Sequence, residues 1–224
     1  MILFITIFII LIIIISIIYL IKYWHQFINN ECDNQDINII NGIPSYHNAW
    51  DSNNITINQL HKLLILNHDL ILKQLNDTLE KYESESINDI YIRFYDKWTE
   101  NTDKIPILKD IVSLFPNITN LYISIINPGD IITNNIGVSK IYQKYQYGLQ
   151  ITYSDIGLNI KGYDINFIEK NGFVWDNTLP NTTWNHTLNP RILIVADVIR
   201  NFSFMNRIGA KFIHKFIKSD IKYI

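Results

Sequence analysis

The chain has one cysteine among its 224 residues, Cys32, so no internal disulfide can staple its fold. The thiol reads as a spare one in a linker, with a cross-link between two chains as the alternative. Positive charge is not in excess either. Lys and Arg number 19 against 21 Asp and Glu, a formal net charge of -2, which excludes nucleic acid as the main partner. There is no nucleotide-binding glycine loop and no internal repeat. Ile and Asn are abundant, a skew of the kind AT-rich coding imposes, so a single Ile or Asn carries less information than usual.

What is present begins at the N-terminus. Met1 to Leu20 (MILFITIFIILIIIISIIYL) contains no charged side chain. A helix of about 20 apolar residues crosses a hydrocarbon core of about 30 Å. In lipid the backbone must satisfy its own hydrogen bonds, which overrides the poor helix propensity of isoleucine. Tyr19, Lys22, Tyr23 and Trp24 then form an interfacial belt. A cleavable signal peptide would have a basic start, a shorter apolar run and a small-residue cleavage site, and none is present. The expectation is a single-pass anchor held in the bilayer through residues 2–21. Lys22 weakly favours a cytoplasmic C-terminal side, but Glu31, Asp33 and Asp36 follow it. Six N-x-S/T sequons, at Asn54, Asn76, Asn117, Asn181, Asn185 and Asn201, would be glycosylation sites in a lumen, although an Asn-rich chain produces many by chance.

The expected organisation is an anchor over residues 1–22, a tether over 23–52, a domain over 53–203 and a basic amphipathic helix over 204–224. Leu60, Leu63, Leu64, Ile71, Leu75 and Leu79 recur at helical steps and predict one helix from about Ile57 to Tyr82. His61 and His68, seven apart on it, read as surface or cap histidines rather than metal ligands. From Leu121 the pattern changes to short β-type runs: LYISII, IYQKYQYGLQI, LNIKGYDINFIE, FVWD and RILIVADV. Asn171-Gly172 between two of them predicts a type I′ hairpin. The fold class expected is mainly β with flanking helices, a jelly-roll sandwich or barrel. In the tail, Arg207, Lys211, Lys215, Lys218 and Lys222 face one side and Ile208, Phe212, Phe216, Ile217 and Ile221 the other. Such a helix either rests on a membrane surface or packs against the domain.

Two segments carry a family resemblance. The first is Ser124-Ile-Ile-Asn127-Pro128-Gly129-Asp130-Ile131-Ile-Thr-Asn-Asn135-Ile-Gly137, followed by Lys144-Tyr-Gln146-Tyr-Gly148-Leu149. The second is Val174-Trp175-Asp176-Asn-Thr178-Leu-Pro-Asn181-Thr-Thr-Trp184-Asn185, followed by Pro190-Arg191-Ile-Leu-Ile-Val-Ala-Asp197-Val198. Together they resemble the aspartyl/asparaginyl β-hydroxylases, a branch of the iron- and 2-oxoglutarate-dependent dioxygenases, over roughly residues 105–200. Trp98, Pro106 and ILKDIVSLF resemble the lead-in to that stretch. The resemblance implies a double-stranded β-helix of cupin type, a luminal domain and a groove for a peptide or protein ligand.

In that family two histidines hold ferrous iron, leaving open coordination positions for an oxygenase reaction. An Arg fork grips the 2-oxoglutarate carboxylate. Carried over, the resemblance makes Arg191 this fork, gives Ser124 a hydroxyl contact to the co-substrate, and sets Lys144 and Gln146 where the family has a further Arg and a His. The departure is at the two iron positions, occupied here by Asn135 and Asn181. A carboxamide oxygen suits hard cations better than ferrous iron. His186, Asp130 and Asp176 are nearby in sequence, but their spacing promises no replacement site. The leading reading is therefore a membrane-anchored hydroxylase-like protein that has lost iron and binds 2-oxoglutarate or a peptide. The alternatives are an active dioxygenase for peptide Asp or Asn side chains with a non-standard metal site, and a structural membrane glycoprotein.

Overall fold

A computed structural model of the chain describes residues 2–35, 47–49, 52, 54–80, 89–152 and 156–220. It divides into two units, Met1–Gln35 with Asn201–Ile224, and Asp36–Arg200. The first unit opens with α1 (Ile2–Gln35), which includes a segment apolar and long enough to cross a membrane, with none of its most apolar window buried. The helix does not stop where the apolar run does. It continues to Gln35, so the first part of the expected tether is helical, while residues 36–46 of that tether lie outside the described residues.

The larger unit carries β1 (His47–Asn48), α2 (Ile55–Leu66), α3 (His68–Leu79), β2 (Asp89–Phe94), β3 (Lys97–Trp98), a 3-10 turn (Glu100–Asp103) and α4 (Pro106–Ser113). Eight strands follow: β4 (Ile118–Ile126), β5 (Ile131–Asn135), β6 (Tyr142–Gln150), β7 (Ile156–Ile160), β8 (Tyr163–Asn166), β9 (Gly172–Trp175), β10 (Asn181–Asn185) and β11 (Arg191–Ile199). They form two antiparallel sheets, ordered β1-β9-β6-β11-β4-β2-β3 and β5-β10-β7-β8. From β4 onward the chain passes repeatedly from one sheet to the other, and only the β7–β8 hairpin keeps consecutive strands in one sheet. This is the jelly-roll path of a double-stranded β-helix.

Period-two alternation explains what the large sheet does with its side chains. Ile192, Ile194, Ala196 and Val198 of β11, Leu121, Ile123 and Ile125 of β4, and Tyr145, Tyr147 and Leu149 of β6 join one core with the helices. Leu193 and Val195 of β11 turn the other way, into a second core with Leu158, Ile160, Phe173 and Trp175. A sheet covered on both faces needs nearly continuous apolar runs, which is why RILIVADV does not alternate with polar residues. Ser124, Lys144, Gln146 and Arg191 fall on the parity that faces the inside of the barrel.

The helices correct two expectations. The predicted helix from Ile57 is two helices, separated at Asn67, whose side-chain amide donates to the Leu63 carbonyl at 2.8 Å; its expected end at Tyr82 lies outside the described residues. His61 and His68 are not surface or cap residues. They lie 0% and 3% exposed against the large sheet. Nδ1 of His61 is 2.9 Å from the Tyr145 hydroxyl, and Nδ1 of His68 is 2.9 Å from the Tyr147 hydroxyl. Seven residues is two helical turns, so both fall on the stripe of Leu60, Leu64, Ile71 and Leu75. Gly172 makes room for the first pair, since a Cβ there would come within 2.9 Å of His61 Nδ1 and the Tyr145 hydroxyl.

The predicted Asn171-Gly172 hairpin is also corrected. Neither residue has positive φ, and β8 and β9 belong to different sheets. The tight hairpin is Lys161-Gly162, with φ of 51° and 89°, joining β7 to β8. Two positive φ values at the central residues are what a type I′ turn requires.

The first unit closes with α5 (Phe204–Asp220), packed on the C-terminal half of α1. Glu31 accepts hydrogen bonds from the Ser203 amide (2.6 Å), the Ser203 hydroxyl (2.9 Å) and the Asn206 side-chain amide, placing a carboxylate at the start of α5. Ile28 and Cys32 are buried, at 1% and 0% exposure. Cys32 is thus a buried helical residue, not a linker thiol, and the end of α1 is in contact with α5. Ile221 and Lys222 of the expected tail pattern lie outside the described residues.

Candidate functional site

A cavity of about 130 Å3 opens between the two sheets. That is several times the space a single water needs. Ser124, Lys144, Gln146 and Arg191 all line it, together with Asn181, Thr183, Trp175, Asn177 and Asp89. The four residues assigned to the co-substrate therefore meet in one place, although they come from β4, β6 and β11.

Arg191 dominates the chemistry. Its residue is 2% exposed, its guanidinium carbon lies 4.6 Å from the centre of the Phe167 ring, and Nη1 donates to the Thr183 hydroxyl. Nε has no hydrogen-bond partner among the described residues, and no carboxylate there comes within ion-pair distance. Burial lowers the guanidinium to about 9, against the opposing pull of Asp89 and Tyr122. Asp89, in the same cavity, offsets part of that burial without pairing directly, and a buried cation so incompletely compensated is costly unless an anion completes it. Three other buried polar atoms on cavity-lining residues also lack partners among the described residues: Trp175 Nε1, Gln146 Oε1 and Asn177 Oδ1.

Lys144 differs from Arg191. Its ammonium lies 3.2 Å from Asp197 and donates to the Tyr122 hydroxyl at 3.2 Å. Burial pulls its pKa down, but Asp197 and Tyr122 outweigh that and hold it raised. Its charge is already spent within the wall. Ser124 stands opposite Asp89 in the β2–β4 ladder. Asp89 keeps contact with solvent, yet partial desolvation still raises its carboxyl above the ordinary range, against the Ser124 hydroxyl, Lys144 and Arg191.

Beside this cavity lies a wider one of about 380 Å3, sharing Asp89, Tyr122, Lys144 and Asn177 with it and lined further by Tyr91, Phe94, Tyr95 and Tyr142. The strand that contributes Asp89, Tyr91 and Phe94, β2, was not among the runs expected from the sequence. Asp-Ile-Tyr-Ile-Arg-Phe does alternate, and that was the signal available.

Asn135 and Asn181 lie on β5 and β10 as register partners. Asn181 is 7% exposed, and its side-chain amide donates to the Leu179 carbonyl at 3.1 Å. The residues weighed as replacement ligands are not gathered there. Asp176 is tied to Arg200 at 3.6 Å and to the Thr178 amide and hydroxyl at 3.0 and 2.8 Å. His186 is exposed, its ring 6.4 Å from that of Trp184, and Asp130 is exposed. Among the described residues no three His, Cys, Asp or Glu side chains converge.

A family model described as aspartyl/asparaginyl beta-hydroxylase matches residues 63–201. No curated protein matches the chain. Among solved structures, the chain is similar to an oxidoreductase of the 2OG-Fe(II) oxygenase family from Burkholderia pseudomallei, at 10% identity over 58% of this chain and 78% of that one, TM-score 0.44. It is also similar to a Pseudomonas putida prolyl-4-hydroxylase, at 12% identity over 70% and 94% of the two chains, TM-score 0.41.

Proposed function

The chain belongs to the aspartyl/asparaginyl β-hydroxylase family, and from that premise we propose that it is a membrane-anchored binding member whose barrel takes a small carboxylate of the 2-oxoglutarate type and has lost the iron centre. The observation that carries this reading is Arg191, a buried guanidinium lining a polar cavity with no carboxylate among the described residues within ion-pair distance. Thr183 fixes one edge of the fork and Phe167 supports its face, and the cavity that Arg191 lines is where an anion would complete its charge. A carboxylate docked there accepts charge-assisted bonds that water no longer supplies. Ser124, which lines the same cavity, supports a hydroxyl contact. Lys144, held by Asp197, shapes the wall rather than gripping the ligand.

The residues present do not fit ferrous iron. The resemblance assigns the metal positions to Asn135 and Asn181, the Asn181 amide is engaged with a backbone carbonyl, and among the described residues no acidic or imidazole set gathers beside it. No chemical step is routed through a metal. The adjoining aromatic cavity is suited to a side chain of a peptide or protein ligand. The uncharged stretch of α1 serves as the membrane anchor, with the barrel on the luminal side.

Calorimetric titration of the full chain in detergent with 2-oxoglutarate, without added iron, tests the binding role. Binding is expected, and Arg191→Ala is expected to weaken it at least about 30-fold, since removing one partner of a buried charge pair costs about 2 kcal/mol or more. Equal binding by both proteins would remove Arg191 from the site. Iron-dependent succinate release would instead establish the active dioxygenase.

A further inference from the structure

α5 presents three different faces. Gly209, Ala210 and His214 are buried, and a Cβ on Gly209 would come within 2.7 Å of the Ile28 side chain and 2.9 Å of the Trp24 ring of α1. At about 100° per residue, Phe204, Ile208, Phe212 and Phe216 form a second line one turn apart. All four are exposed, from 46% at Ile208 and Phe212 to 74% at Phe204. Arg207, Lys211, Lys215 and Lys218 make a third face beside that line.

The place where the two helices touch is as informative as the faces. Trp24 and Ile28 lie just beyond the uncharged run that ends at Leu20. If that run spans the hydrocarbon, this contact stands at headgroup level. There, Leu20, Tyr23, Trp24, Phe27 and Met205 line an apolar groove of about 320 Å3 within the α1–α5 unit. A second copy of the chain is a poor cover for the phenylalanine line, because pairing would bring two sets of four cations together. An anionic bilayer satisfies both faces at once.

We propose that α5 is an interfacial helix: Phe204, Ile208, Phe212 and Phe216 enter the acyl layer of the membrane that α1 spans, the basic face meets anionic headgroups, and the groove beside Met205 holds an acyl chain. This rests on reading α1 as an anchor.

The test places single nitroxide labels on the full chain, in a Cys32→Ala background, in vesicles of phosphatidylcholine with phosphatidylserine. Labels at Phe212→Cys and Phe216→Cys are expected to collide with oxygen, as a label at Ile12→Cys does, while Lys211→Cys meets a water-soluble nickel chelate. Labels at 212 and 216 in water with Ile12 in lipid would overturn this inference and leave the anchor standing. Ile12 in water would overturn the anchor as well. Shielding of 212 and 216 from both reagents would show a protein surface covering them, and would also overturn it. Lys211→Glu, Lys215→Glu and Lys218→Glu together should shift label 212 toward nickel; an unchanged depth would remove the headgroup contact.

Discussion

Asn135 and Asn181 stand opposite one another as Cα partners in the antiparallel β5–β10 ladder, immediately before a register shift at Thr183. Two positions 46 apart in sequence, which the family resemblance pairs at a metal, are thus neighbours in the fold.

The buried histidines set an acid limit on stability. His61 is lowered from its ordinary 6.5 to about 4 by desolvation, and His68 is lowered by the same cause with Lys170 adding to it. Between pH 6.5 and 4 the unfolded chain takes up a proton that folded His61 refuses, so stability falls as pH falls through that window. The loss expected from His61 is on the order of 3 kcal/mol. Chemical denaturation at pH 7 and pH 5 checks it, with about 2 kcal/mol of that loss falling between those two values. His61→Gln should flatten the slope, and an unchanged slope would assign the acid sensitivity elsewhere.

Asp176 and Arg200 form an ion pair with side-chain exposures of 1% and 0%, and Arg200 Nε also donates to the Lys140 carbonyl at 2.6 Å. Removing one partner leaves an unpaired buried charge. Asp176→Ala should therefore cost about 3–5 kcal/mol, read from the denaturation midpoint. A cost below about 1 kcal/mol, as exposed pairs give, would contradict the burial.

The sequons divide by exposure. Asn54, Asn181 and Asn185 are buried, and Asn185 donates to the Ile126 and Asn189 carbonyls at 2.9 and 2.8 Å. Asn76, Asn117 and Asn201 are exposed. Expression through a secretory pathway should give glycosidase-sensitive mass at the exposed three only. A glycan on Asn185 would contradict the fold, and none anywhere would count against the luminal placement.

The sequence was most legible where side chains bury on both faces. RILIVADV and the Leu stripe from Leu60 announced β11 and the helix layer, because packing dictates every position there. β5 and β10 were legible only as motif, since Ile-Ile-Thr-Asn-Asn and Asn-Thr-Thr-Trp-Asn border a polar cavity and one edge of the smaller sheet. Asn171-Gly172 misled because the glycine serves close approach to His61 rather than positive φ. Residues 23–35, polar in sequence, are helical and include the contacts to α5, more than 160 residues on, which no local pattern encodes. Arg191 was found through the family motif, but its lack of a carboxylate partner needed the structure.

Metal and ligand analysis of the full chain beside an Asn135→His, Asn181→His variant tests the central claim most directly. The native chain is expected to hold no stoichiometric iron and to bind 2-oxoglutarate whether or not a chelator is present, with iron retained only by the variant. Native chain that holds stoichiometric iron, and loses 2-oxoglutarate binding when the iron is stripped, would contradict that claim.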